Sequence, residues 1–175
     1  MGAYSPRDTV PRAAHPVINA RAEALAEKPL FASLLKTRRC LVPASGFFEW
    51  KQEGTRKHPF YLSVRDQPLF AFAGLYDEGH DPAGTLVAQY TIITTGPNAL
   101  AATVHNRMPV ILSPESEETW LSGEQPDAAQ LKKMFVPFPA EKMAMHPVSL
   151  LVNGLPADDE RVVRPVVSLD DEYLQ

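Results

Sequence analysis

The sequence predicts one domain of short strands and short helices, with no long helix. Three observations carry that expectation. A chain of 175 residues has the size of a single domain that can bury a substantial core. Seventeen prolines against nine glycines imply many rigid connections between short elements. Several runs rich in Phe, Tyr, Ile, Val and Leu are bounded by Pro, Gly, Asn or Asp, the punctuation of short strands. Apolar content of 45% with 22% charged residues fits a globular chain and excludes a disordered one.

Residues 1–18 are expected to form an irregular arm, since Pro6, Pro11 and Pro16 interrupt a stretch with few apolar residues. The domain proper is expected over 19–175. Asn19-Ala20-Arg21-Ala22-Glu23-Ala24-Leu25 reads as a helix start with Asn19 as its N-cap. Pro29 opens a second short helix through Leu35, because proline is tolerated in the first turn. Next comes Arg39-Cys40-Leu41-Val42-Pro43-Ala44-Ser45-Gly46-Phe47-Phe48-Glu49-Trp50-Lys51, an apolar segment, a turn and an aromatic strand carrying one acid. Gly54-Thr55-Arg56-Lys57 reads as a basic hairpin tip. Strands are expected over 58–64 and 69–76, a polar loop over 77–84, and a buried strand over 87–95.

Past Gly96-Pro97-Asn98 only a short helix fits before the next stretch, Val104-His105-Asn106-Arg107-Met108-Pro109-Val110-Ile111-Leu112. Ser113-Pro114 caps an acidic helix through Leu121, and Pro126-Asp127 starts another through Phe135. A closing strand is expected over 143–151 and an edge strand over 162–167, where Pro165 is tolerated.

Two clusters carry chemistry. Period-2 alternation places Phe47, Glu49 and Lys51 on one strand face and Phe48 and Trp50 on the other. A carboxyl among Phe and Trp rings loses hydration, which raises its pKa toward the range useful for proton transfer. Taken alone, Glu49 reads at least as well as a surface acid paired with Lys51 or Arg39. If 104–112 is extended, His105 and Arg107 point the same way, one titrating near neutrality and one permanently cationic. A solitary histidine before a strand is also often a hydrogen-bonded structural residue.

Formal net charge of −4 argues against a nonspecific nucleic-acid coat. Residues 1–88 carry eleven Lys/Arg against nine Asp/Glu, and 89–175 carry six against twelve, so any basic groove is local. One cysteine excludes an internal disulfide framework, and the five histidines lack zinc-like spacing, so neither metal nor cofactor is expected. No apolar run approaches the roughly 20 residues of a membrane span, and no signal-peptide core opens the chain. The expected setting is a reducing cytoplasm.

Five stretches in order resemble the SOS response-associated peptidase (SRAP) family, whose members process abasic sites in single-stranded DNA. They are Ile18-Asn19-Ala20-Arg21-Ala22-Glu23, the Arg39 to Trp50 stretch quoted above, and Thr91-Ile92-Ile93-Thr94-Thr95. His105-Asn106-Arg107-Met108-Pro109-Val110-Ile111-Leu112 and His146-Pro147-Val148-Ser149 complete the set. The resemblance implies an α+β fold around a curved, mostly antiparallel, β-barrel-like sheet with a groove for single-stranded DNA. It implies a protein that crosslinks abasic DNA, with peptidase or lyase-like activity, and single-stranded DNA containing abasic sites as its partner; a monomer is expected. In the family, the amine and thiol of an N-terminal cysteine capture the abasic aldehyde, first as an imine and then as a thiazolidine.

Carried over by position, Glu49 matches the acid that shuttles protons around imine formation. His105 matches the histidine beside the opened deoxyribose, and Asn19 the asparagine that orients the nucleophilic terminus. Arg21 and Arg107 match phosphate-holding arginines, Thr94 is a further phosphate contact, and Trp50 packs by the groove or in the core. The family pattern begins Met-Cys-Gly-Arg with a segment before the Asn-Ala-Arg stretch, whereas this sequence begins Met1-Gly2-Ala3. The expectation is therefore a missing nucleophile and a missing strand or two, in either a truncated form or a relative without crosslinking. Cys40, among apolar residues, is expected to be buried and not nucleophilic. Two rivals remain: a catalytically silent single-stranded DNA-binding module, and an unrelated hydrolase using Glu49 and His105, for which no third orienting group is evident.

Overall fold

The fold is described from a computed structural model, which covers residues 17–80, 84–124, 126–154 and 159–166, with His80 as backbone only. Most of the expected N-terminal arm therefore lies outside the described residues. Along the chain come β1 (Asn19–Arg21), a 3-10 turn (Ala22–Ala24), α1 (Pro29–Thr37), β2 (Arg39–Ala44), β3 (Phe47–Glu53) and β4 (Arg56–Val64). Then follow β5 (Phe70–His80), β6 (Leu86–Thr95), a 3-10 turn (Ala101–Thr103), β7 (Met108–Pro109), α2 (Pro114–Leu121) and α3 (Ala128–Met134). A 3-10 turn (Ala140–Lys142), β8 (Met143–Pro147) and two further 3-10 turns (Leu150–Asn153 and Glu160–Val163) close the described chain.

The fold is α+β, with its strands in two sheets. One is five-stranded, in the order β1-β6-β5-β2 with β7 beside β6; the other is three-stranded, in the order β3-β4-β8. The expected α+β class with short helices is found; among the described residues the strands lie in two sheets and are not closed into a barrel. The reason lies at Ser45-Gly46, where the extended chain breaks; β2 takes β5 as neighbour, whereas β3 turns back at Gly54 to pair with β4. The chain divides in the same way into two compact units, one of 17–43, 71–96 and 109–138, the other of 44–70, 97–108 and 139–166.

In the first unit, β5 and β6 pair antiparallel from Gly74↔Ile92 to His80↔Leu86. The expected polar loop over 77–84 is therefore strand as far as His80, because β6 supplies its ladder. Only the C-terminal half of β6 is core: Thr91, Ile93 and Thr95 are buried, whereas Tyr90 stays 40% exposed. The helix expected from Asn19 is also corrected. Asn19–Arg21 is a strand parallel to β6, anchored where the Ile92 N–H donates to the Ile18 carbonyl at 3.0 Å, and only Ala22–Ala24 turns. Burial of Ala20 at 2% exposure outweighs the weak helical preference of so short a run.

Pro29 does open α1, which buries Phe31, Leu34 and Leu35. Ser113 caps α2 by accepting from the Ser116 N–H, and Asp127 caps α3 in a reciprocal capping box with Gln130. Trp120 fills the core at 0% exposure, donates its indole N–H to the Cys40 carbonyl at 2.9 Å, and meets Phe135 edge-on at 5.8 Å. Over its ring lies the Arg39 guanidinium, 5.7 Å from the centroid. That guanidinium donates to the carbonyls of Leu35, Lys36, Trp120, Ser122 and Glu124, tying the C-terminal ends of α1 and α2 to β2. Gly74 is required where β5 approaches β2, since a Cβ there would stand 2.9 Å from both Cys40 Sγ and Val42 Cγ2.

In the second unit, β3 and β4 form the expected hairpin, with Glu53↔Arg56 closing on Gly54-Thr55 and Gly54 at φ 60°. Tyr61 Cζ would lie 2.2 Å from a Cβ on Gly46, so only glycine fits beneath that ring. β4 pairs with β8 from Phe60↔Pro147 to Val64↔Met143. Leu62, Val64, Phe70, Ala101, Val104, Met108, Met143, Val148 and Val162 are buried in this unit. The closing strand is shorter than expected, ending at Pro147, after which Ser149 caps the Leu150–Asn153 turn. The edge strand expected over 162–167 is a 3-10 turn capped by Asp159, followed by a single bridge between Val148 and Pro165.

Candidate active site

The chemistry gathers at β3, the outer strand of the three-stranded sheet. Glu49 pairs in register with Phe60, and Trp50 with Pro59. Among the described residues no strand lies beyond β3 in this sheet, and residues from both of its faces line one open depression of about 430 Å³. Glu49, Trp50, Lys57, His105 and Asn153 line it.

His105 arrives by a different route. The condition that 104–112 be extended is not met at His105: after the Ala101–Thr103 turn its N–H donates to the Ala101 carbonyl at 2.9 Å, and strand geometry begins only at Met108. Asn98 holds this turn, its side-chain oxygen accepting from the Ala101 N–H at 2.8 Å and its backbone N–H donating to Met108 Sδ at 3.4 Å. Nδ1 of His105 then stands 3.5 Å from Glu49 Oε2. The same nitrogen lies 3.2 Å from the Arg107 carbonyl and 3.3 Å from the Arg107 backbone nitrogen. Protonated, it donates to that carbonyl and faces the carboxylate; unprotonated, it accepts from the Arg107 N–H. One loop thus supports either state of the ring.

Glu49 is half-buried, its side chain 21% exposed against 44% for His105. Burial raises the pKa of its carboxyl, and the positive form of His105 opposes part of that rise. A proton held on Glu49 beside an accessible imidazole is an arrangement suited to moving protons between a bound substrate and solvent. Trp50 is fixed from two sides: its ring meets Phe48 at 6.5 Å, and its indole N–H donates to Asn153 Oδ1 at 3.2 Å.

The other candidates fall in the first unit. Asn19 and Arg21 are exposed ends of β1, and Arg21 is in register with Thr94 on β6. Thr94 Oγ1 donates to the Ala20 carbonyl at 3.4 Å. The structure thus brings together Glu49, Trp50, His105 and Arg107 in one unit, and Asn19, Arg21 and Thr94 in the other. Lys57 and Asn153 were not singled out from sequence. Lys57 was visible as part of a basic hairpin tip, whereas nothing in the sequence around Asn153 points to a site.

Cys40 is half-buried beside β5, and burial pushes its thiol up to about 11. It is protonated at neutral pH and poorly nucleophilic. Among the described residues no group of three or more His, Cys, Asp or Glu side chains is placed to hold a metal, and no helix is long and apolar enough to cross a membrane.

A model of the family described as SOS response associated peptidase (SRAP) matches residues 4–155. The chain is 44% identical over 139 residues to the abasic site processing protein YoqW of Bacillus subtilis, covering 79% of this chain and 62% of that protein. It is 32% identical over 157 residues to the abasic site processing protein YedK of Escherichia coli, covering 86% of this chain and 68% of that one. A crystal structure of a protein from Bacteroides thetaiotaomicron superposes with a TM-score of 0.79 at 36% identity, over 85% of this chain and 66% of that one. The match to the Bacillus protein thus spans less than two thirds of that relative's length.

Proposed function

We propose, from the premise that the chain belongs to the SOS response associated peptidase (SRAP) family, that it binds single-stranded DNA at abasic sites and promotes condensation of an amine with the abasic aldehyde. The observation that carries this reading is the half-buried Glu49 carboxyl, 3.5 Å from His105 in an open depression. Amine and aldehyde first give a carbinolamine; its hydroxyl then leaves as water and a carbon–nitrogen double bond forms. Glu49, protonated, supplies the proton that the departing hydroxyl needs. His105 takes up or returns a proton at the sugar, and the Arg107 loop holds its ring in either state. Arg107 and Arg21 serve as phosphate contacts and Asn19 as the residue that orients the attacking amine, as their positions in the family pattern imply. Thr94 is a further phosphate contact and Trp50 a groove wall.

Cys40 takes no part in this reading. A thiazolidine needs an amine and a thiol on the same terminal residue, and Cys40 is an internal residue whose nitrogen is an amide. The test is borohydride trapping on single-stranded DNA carrying one abasic site. Wild-type chain is expected to be trapped, and Glu49→Gln much more slowly. Equal trapping by both sinks the assignment of Glu49.

A second reading is a single-stranded DNA-binding module without covalent chemistry, and the aromatic ring of Trp50 and the cation of Lys57 in the same depression favour it. Binding without any trapping would select that reading.

A further inference from the structure

The depression around Glu49 has two chemically different sides. Glu49 and His105 carry the proton chemistry. Trp50, Lys57 and Asn153 supply an aromatic ring, a cation and an amide, the set that recognises a nucleotide. Strand register explains why these three meet. Gln52 pairs with Lys57 and Trp50 with Pro59, so Trp50 and Lys57 rise on the same face of the hairpin. Asn153 ends the Leu150–Asn153 turn, and its Oδ1 receives the Trp50 indole N–H.

We infer that Trp50, Lys57 and Asn153 form a subsite for the nucleotide next to the abasic residue, in which the base stacks on Trp50, Lys57 contacts the phosphate, and Asn153 is a positioning residue that fixes the indole. An abasic residue has no base, so it offers an aromatic wall nothing to stack on. Its intact neighbour does, and stacking is tolerant of base identity because every base has a π-face. The phosphate joining the two residues then falls beside the ring, where Lys57 lines the same depression. Asn153 acts through geometry. An indole with the tilted Phe48 ring 6.5 Å away and its N–H held by Asn153 keeps a single orientation and loses less freedom when a base stacks on it.

This inference rests on the proposed abasic-DNA reading and names the part of the substrate that this side of the site takes. Its test uses an oligonucleotide with a stable tetrahydrofuran abasic analogue, so that binding is read without chemistry. The chain has two tryptophans, and Trp120 is fully buried, so quenching of intrinsic fluorescence by DNA reports Trp50. The wild-type chain is expected to be quenched. Asn153→Ala should lose most of that quenching and weaken binding about threefold, the effect of one hydrogen bond. In a Trp50→Phe background, which keeps a ring but has no N–H, Asn153→Ala should have no further effect. Lys57→Gln should keep the quenching and flatten the log–log salt dependence by about 0.7, one phosphate on a single strand. Both Asn153 and Lys57 are exposed, so these variants are expected to fold.

Full quenching and affinity in Asn153→Ala, or an unchanged salt slope in Lys57→Gln, overturns the subsite. Borohydride trapping on an authentic abasic strand separates this from the broader reading. Glu49-dependent trapping alongside wild-type behaviour of both variants leaves the proposed function standing and removes the subsite. Absence of any single-stranded DNA binding by the wild-type chain removes both.

Discussion

Glu49 Oε2 and His105 Nδ1 stand 3.5 Å apart, one on a strand and the other on a turn distant in sequence. Glu49 is the less exposed of the two, so the pair couples a carboxyl that resists ionisation to an imidazole open to solvent. Replacing Glu49 by Gln keeps the shape and removes the transferable proton. Borohydride trapping on abasic single-stranded DNA should slow by about 100-fold, the lower end of general acid catalysis. Affinity for a tetrahydrofuran-containing strand should stay within about twofold of wild type. A loss confined to affinity would make Glu49 a binding residue.

The raised pKa of Glu49 has a consequence for stability. Its folded form holds a proton more tightly than its unfolded form, so its favourable contribution is complete below the unfolded value and is lost as pH rises through the folded one. Glu49→Gln should therefore melt higher than wild type near pH 7, and the difference should vanish near pH 4, about the ordinary glutamate value. His105→Ala should raise the Glu49 pKa further, because positive His105 is what opposes the effect of burial. Carboxyl titration by NMR checks the direction.

Arg107 leads from the His105 turn into β7. If it holds a phosphate, Arg107→Ala should weaken binding to single-stranded DNA and reduce the log–log salt slope by about 0.7. An unchanged slope places Arg107 off the DNA path.

Arg39 is a structural residue of the first unit. Its guanidinium serves five carbonyls and covers the Trp120 ring, so Arg39→Ala leaves several carbonyls without their donor. A destabilisation of about 2–4 kcal/mol is expected in urea denaturation. Lysine should rescue little, since an ammonium cannot match a planar fork of donors.

Cys40 and Gly74 share one tight contact. Gly74→Ala should destabilise by about 1–3 kcal/mol through overpacking. Cys40→Ala should recover part of that loss in the double variant, leaving the contacts with Val42 Cγ2 and the Cys40 carbonyl. Alone, Cys40→Ala should leave borohydride trapping unchanged, and the wild-type thiol should react slowly with a disulfide reagent until the chain is unfolded. A denaturation-resistant adduct formed without reductant, and lost in Cys40→Ala, would make Cys40 the nucleophile.

Local chemistry in the sequence was enough for the elements that carry their own signals. Pro29 opening α1, Ser113 and Asp127 capping α2 and α3, and the Gly54 hairpin each follow from backbone rules that act over a few residues. Glu49 and His105 were legible as candidates because an acid among aromatic residues and a histidine next to an arginine are chemically conspicuous, and because their stretches resemble one family. What the sequence could not decide is everything set by a partner elsewhere in the chain. Asn19–Arg21 is a strand because β6 lies beside it, and β5 runs on to His80 for the same reason. The strands lie in two sheets because β2 and β3 hydrogen-bond to different neighbours. His105 faces Glu49 from a turn held by Asn98, a conformation the sequence left open. Asn153 joined the site only through its hydrogen bond to Trp50. Propensity and capping are local free energies written in neighbouring residues, whereas strand pairing and site assembly depend on contacts that exist only once distant segments are packed together.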